Sequence, residues 1–124
     1  MILDSALSSA TESDRAGFQR GAKALELLRT LAGDYWRTLV EGGGDQQGRQ
    51  HFGKFGFAAK ESDTLSVEGK NRRTFRYKGK DLLMEKHLKL GVKDSPAETL
   101  RIHFELVQAE RLIIIGHCGK HLSF

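Results

Sequence analysis

The sequence predicts an α+β fold, with one or two N-terminal helices packed on a four-stranded antiparallel β-meander. Three observations carry that expectation. An apolar repeat at helical spacing fills the first third, the period switches to two from residue 71, and 124 residues suffice for one core but not two. The expected organisation is a flexible N-terminus at 1–12, small and polar, followed by a single domain at 13–124.

From Ser13 onward, Phe18, Ala22, Leu25, Leu28 and Ala32 recur at helical spacing, with Leu27 and Leu31 widening the stripe. Thr11 and Ser13 suit an N-cap, and Asp14 suits the positive end of the helix dipole. Gly33 with Asp34 marks a break, so "DYWRTLVE" is either the second arm of a helical hairpin or the continuation of one kinked helix. Residues 42–60 hold six glycines in nineteen residues and are expected to be a loop carrying Phe52, Phe55 and Phe57. The spacing Gly48-x-x-x-x-Gly53-Lys54 imitates a phosphate loop. However, Phe55 stands where the metal-binding Ser or Thr is needed, and no helix pattern follows.

Beyond residue 71, "RTFRYKGKDLLMEKHLKLG" reads as two strands turning at Lys78-Gly79-Lys80. "TLRIHFELVQAERLIIIGH" reads as a second hairpin turning near residues 108–110. Alternation places Leu100, Ile102, Phe104 and Leu106 on one face, and Arg101, His103 and Glu105 on the other. The same rule puts His87 with Lys89, and His117 on the side of Ile113 and Ile115.

Charge is unevenly distributed. The net charge is +4, yet residues 1–50 carry 6 basic and 7 acidic side chains, while residues 51–124 carry 14 and 9 together with all five histidines. A basic half of this kind suits RNA or another polyanion, or an acidic protein. No stretch is apolar and long enough for a membrane span, and no basic region opens the chain as a signal peptide would. A single cysteine, Cys118, fits a reducing, cytoplasmic setting.

With its apolar face on the helices, the sheet is expected to turn a polar shelf to water. His87, His103, His117 and His121 are the candidate acid/base groups, since imidazole titrates near neutrality. Lys89, Arg101 and Lys120 are the candidate phosphate partners. Arg73 and Arg76, interleaved with Phe75 and Tyr77, extend that set, as basic residues alternating with aromatics grip phosphates and bases. This constellation suits RNA cleavage without metal. "HCGKH" lacks the spacing of a zinc site, so no cofactor is expected.

The stretch "LRIHFELVQAERLIIIGH" resembles the C-terminal hairpin of RelE/ParE-type toxins, over about residues 87–121. The resemblance implies helices before an antiparallel sheet, metal-free cleavage of messenger RNA on the ribosome, and neutralisation by an antitoxin covering the basic surface. By position it implies Arg101 as the phosphate-binding arginine, Lys89 as the basic residue of the preceding strand, and Lys120 or His121 as C-terminal contributors.

The expected function is therefore a small cytoplasmic RNA-binding protein, with endoribonuclease activity of the RelE-like kind as its enzymatic form. The alternative is a non-catalytic protein-interaction module of a bacterial multi-protein system, using the same face on an acidic partner.

Overall fold

The computed structural model describes residues 1–53, 56–91 and 95–124. Residues 21–40 form one bent rod: α2 (Gly21–Thr30), a π-helical turn (Leu31–Tyr35) and α3 (Trp36–Val40), with helical backbone angles at both junctions. The kinked-helix alternative is the observed one, and a wide turn at Gly33-Asp34 is its cause. The buried stripe is Ala24, Leu27, Leu31, Tyr35 and Leu39. The expected stripe meets it only at Leu27 and Leu31, the residues that widen it. Leu25 is 48% exposed, Ala22 and Ala32 face solvent, and Phe18 and Leu28 only flank the core. Phe18 lies before α2, and the face of α2 that meets the sheet is set by Ala24, Leu27 and Leu31.

Before Phe18 comes α1 (Asp4–Arg15), which replaces the flexible N-terminus expected at 1–12. Thr11 and Ser13 lie inside this helix, not at a cap. It closes across Gly17, at φ +92°, where Phe18 N donates to Ser13 O at 3.0 Å. Its inward residues, Ala6 and Ser13, are small and give no apolar signal. What orders the segment is the edge of the last strand. Ile2 bridges Ile115 in parallel, Leu3 N donates to Ile115 O, and Ile115 N donates to Met1 O. Ser5 Oγ donates to Gly116 O at 2.6 Å, and Cys118 N donates to Ser9 Oγ at 2.9 Å. Backbone groups that would face water on an edge strand are thus satisfied within the chain.

Four antiparallel strands form the main sheet in the order β1-β4-β5-β6: β1 (Gly56–Ala58), β4 (His87–Leu90), β5 (Leu100–Val107) and β6 (Leu112–Gly119). Helices pack on its apolar face through Leu88, Leu90, Ile102, Phe104, Ile113 and Ile115. The strands differ from expectation in one respect. β2 (Thr74–Tyr77) and β3 (Lys80–Leu83) pair only with each other, and the run 81–90 divides at Met84. The fourth strand of the main sheet comes instead from the Gly-rich segment.

That segment is built, not loose. α4 (Asp45–Gly48) and a 3-10 turn (Arg49–Phe52) precede β1, and Phe52 and Phe57 join Tyr35 and Phe104 in one aromatic cluster. Gly48 is required here, because a Cβ on it would stand 2.8 Å from the Tyr35 ring. Lys54 and Phe55 lie outside the described residues.

On the other face lie α5 (Val67–Arg72), the β2–β3 hairpin and residues 121–124, with Met84, Tyr77 and Ile114 as a second small core. The sheet is therefore covered on both sides, and the expected water-facing shelf is an interior layer. A bulge decides which side chains enter it. His103 pairs with His117 and Phe104 with Ile115, so Gly116 is the extra residue. It turns His117 to the face opposite Ile115, correcting the simple alternation.

Gly116→Val is expected to destabilise the fold by about 1–3 kcal/mol through overpacking. A Cβ there would meet the Phe75 ring at 2.5 Å and Met84 Sδ at 2.9 Å. Gly33→Ala, with open space around it, is the matched control and should not lower stability. Urea unfolding followed by circular dichroism checks both.

Candidate functional site

The three histidines expected on the shelf are register neighbours across β4, β5 and β6. The His87 and His103 rings stack at 4.7 Å, and His103 meets His117 edge-on at 5.7 Å. All three are buried, His103 to 1% exposure. Each ring is tied to the backbone. His87 Nδ1 donates to Glu85 O at 2.8 Å, His103 Nδ1 to Met84 O at 2.9 Å, and His117 Nε2 to Lys120 O at 2.7 Å. These bonds fix the tautomers, since a carbonyl only accepts.

Burial lowers the pKa of all three histidines. His103 is pushed down to about 2, with His87 and His117 opposing its charge, and His87 is further lowered by Lys89 and Arg101. Their rings are neutral at physiological pH. His103 and His117 are thus members of a packed layer, largely enclosed from solvent.

Arg73 closes this layer. The sequence places it on a phosphate-binding surface, but at 1% exposure it is enclosed, and each of its three nitrogens has a partner. Nε pairs with Glu61, Nη1 donates to Gly69 O at 2.9 Å and Ser123 O at 2.8 Å, and Nη2 donates to Leu122 O at 2.8 Å. Glu61 Oε1 also lies 3.4 Å from His87 Nδ1. Arg76 sits away on the β2–β3 hairpin, paired with Asp81 at 3.1 Å with both side chains well exposed. Lys120 is exposed and lines a different cavity.

The remaining candidates do meet. His87, Lys89, Arg101 and His121 line a pocket of about 210 Å³ together with Lys60 and Glu61. Lys89 and Arg101 face one another across β4 and β5. Arg101 is aimed by its own backbone, since Nη1 donates to Leu90 O at 2.9 Å and Leu100 O at 3.0 Å. The segment after β1 brings Lys60 and Glu61, and the C-terminal residues bring His121. Neither Lys60 nor Glu61 carried a distinguishing sequence pattern. They lie on a connection whose path over the sheet is a tertiary fact.

Cys118 packs against the helix-side core, and burial raises its thiol pKa to about 11, which removes thiolate chemistry at neutral pH. Among the described residues, no three His, Cys, Asp or Glu side chains are grouped to hold a metal ion. No described helix is long and apolar enough to cross a membrane. Comparison with known proteins finds no matching family model, curated protein or solved structure.

Two expected outcomes follow from the buried layer. Unfolded imidazoles take up protons near pH 6.5, whereas the native ones resist them, so stability is complete above that pH and declines as pH falls through the depressed native values. Each histidine contributes up to about 1.4 kcal/mol per pH unit. The urea midpoint should fall between pH 7.5 and pH 5, and His103→Asn should show a shallower decline. Arg73→Met should cost about 3–5 kcal/mol by leaving Glu61 unpaired in the interior. It should also make residues 122–124 more sensitive to carboxypeptidase, an effect that a purely local packing defect would not produce.

Proposed function

We propose that this protein binds RNA by a phosphate seated between Lys60, Lys89 and Arg101, with His87 and His121 on the pocket wall. The observation that supports this reading most directly is charge convergence. Three cationic side chains from three separate segments share one small pocket with a single carboxylate. That carboxylate, Glu61, is already paired with the buried Arg73. The surplus of positive charge therefore suits an anion, and an arginine oriented by backbone carbonyls suits a phosphate in particular.

The proposed role is binding without cleavage. Metal-free RNA cleavage needs one group to take the 2′-hydroxyl proton and another to protonate the leaving oxygen. His103 and His117, expected to share those tasks, lie beneath α5 and the hairpin. His87, which reaches the pocket, is held neutral by burial and by its cationic neighbours, which does not suit a proton donor. A RelE-like nuclease would rest on His121 as the acid and His87 as the base, and the test below includes that chemistry.

The measurement is anisotropy of 3′-labelled RNA over a salt series, with EDTA present and products run on a gel. Wild-type binding should weaken steeply as salt rises. Lys89→Ala should weaken it about tenfold and lower the salt slope by about one. Binding unaffected by Lys60→Ala plus Lys89→Ala would exclude this pocket as the RNA site. Cleavage of free RNA or of messenger on translating ribosomes, lost in His87→Ala, would replace the binding role with the nuclease one.

A further inference from the structure

Next to the phosphate pocket lies a larger cavity, about 620 Å³, between the C-terminal end of α1, the turn at 96–99 and the final residues. The two cavities share His121 and Phe124. Resting on the phosphate-binding reading above, we infer that the ligand unit of this site is a nucleoside monophosphate, its phosphate on Lys89 and Arg101 and its base in the larger cavity against Phe124.

Three features carry this. The first is size: at about 210 Å³ the charged pocket takes a phosphate but not a whole nucleotide, and the neighbouring cavity of about 620 Å³, which shares two of its walls, offers the remaining volume. The second is chemistry. The charged pocket gathers Lys60, Lys89 and Arg101, whereas the larger cavity combines the Phe124 ring, Pro96 and Ala16 with hydrogen-bonding groups on Glu12, Ser13, Thr99, Ser123, His121 and Lys120. An aromatic and apolar surface ringed by hydrogen-bonding groups suits a heterocycle, which has both a flat face and a polar edge. The third is the ring itself. Phe124 is 54% exposed, yet it is held, with the Arg73 guanidinium over it at 5.3 Å and the His121 ring edge-on at 5.2 Å. A fixed, half-open aromatic beside a phosphate pocket is the arrangement on which bases stack. Three cations around one phosphate also suit the dianion of a terminal phosphomonoester over the monoanion of a chain-internal diester. The nucleotide is thus free in solution or is the phosphorylated end of an RNA.

Calorimetric titration with inorganic phosphate and with the 5′- and 3′-monophosphates of adenosine, guanosine, cytidine and uridine tests this. At least one nucleotide should bind about tenfold or more tightly than phosphate, the increment a stacked base brings. Ala16→Trp, at an exposed helix-capping position that lines the base cavity, should abolish that increment and leave phosphate affinity unchanged. Lys89→Ala should weaken both ligands. Nucleotides no tighter than phosphate, or an increment that survives Ala16→Trp, would overturn the base assignment while leaving the phosphate pocket intact. Failure of phosphate and all nucleotides to bind would overturn the phosphate reading itself. A tetranucleotide bearing a terminal phosphate separates the two sources: tighter binding than the mononucleotide assigns an RNA end, and weaker binding assigns the free nucleotide.

Discussion

The buried guanidinium of Arg73 organises one half of this molecule. Arg73 sits at the end of α5 and is almost wholly enclosed. A cation in that position is tolerable only when every donor has a partner and the charge is balanced. Glu61 supplies the balance, Gly69 closes the preceding turn, and Leu122 and Ser123 bring in the C-terminal residues. Three stretches distant in sequence are thereby joined over the sheet. The same linkage shapes both cavities, because Glu61 walls one and the held C-terminal residues wall both. Removing the arginine would leave the main sheet paired but would unmake its second covering layer.

Gly116 has a comparable effect on the sheet itself. Without the extra residue, His117 would lie among Ile113, Ile115 and the helices. With it, the three imidazoles line up across β4, β5 and β6, and Ile114 keeps its place under Met84. Neutral imidazoles suit this interior because each ring nitrogen that carries hydrogen finds a backbone carbonyl. Polar character is thus retained inside the layer, and His87, Lys89 and Arg101 border open space at its rim.

The fold class was legible because it rests on local periodicity. The clean alternation of Leu100 to Leu106 identifies both β5 and its buried face, and the antiparallel sheet follows. The helix at 4–15 was not legible, since its inward positions are Ala and Ser and its order derives from the edge of β6. The Gly-rich segment misled for a related reason. Gly48 marks close packing against Tyr35 and not looseness. For the site, alternation grouped His87 with Lys89 and Arg101 with His103, as observed, but it could not show what lies above a face. A row of His and Arg on a strand looks the same whether water or Arg73 and Met84 cover it. Lys60 and Glu61 reach the pocket through chain path alone.

The wide turn at Leu31–Tyr35 carries a consequence for how this chain tolerates change. From Leu27 onward the core stripe repeats every fourth residue, through Leu31, Tyr35 and Leu39. An α-helix completes a turn in 3.6 residues, so such a stripe drifts around the axis by about 40° per step. The extra width of one π-turn absorbs much of that drift and keeps Tyr35 and Leu39 aimed at the sheet. The rod therefore has its phase set at one place. Losing a single residue there would rotate all that follows by about 100°, carrying Tyr35 away from Phe104 and Asp45, with which it packs and bonds. Point substitutions at exposed positions of the rod are absorbed locally, whereas a change of length is transmitted to the whole aromatic cluster.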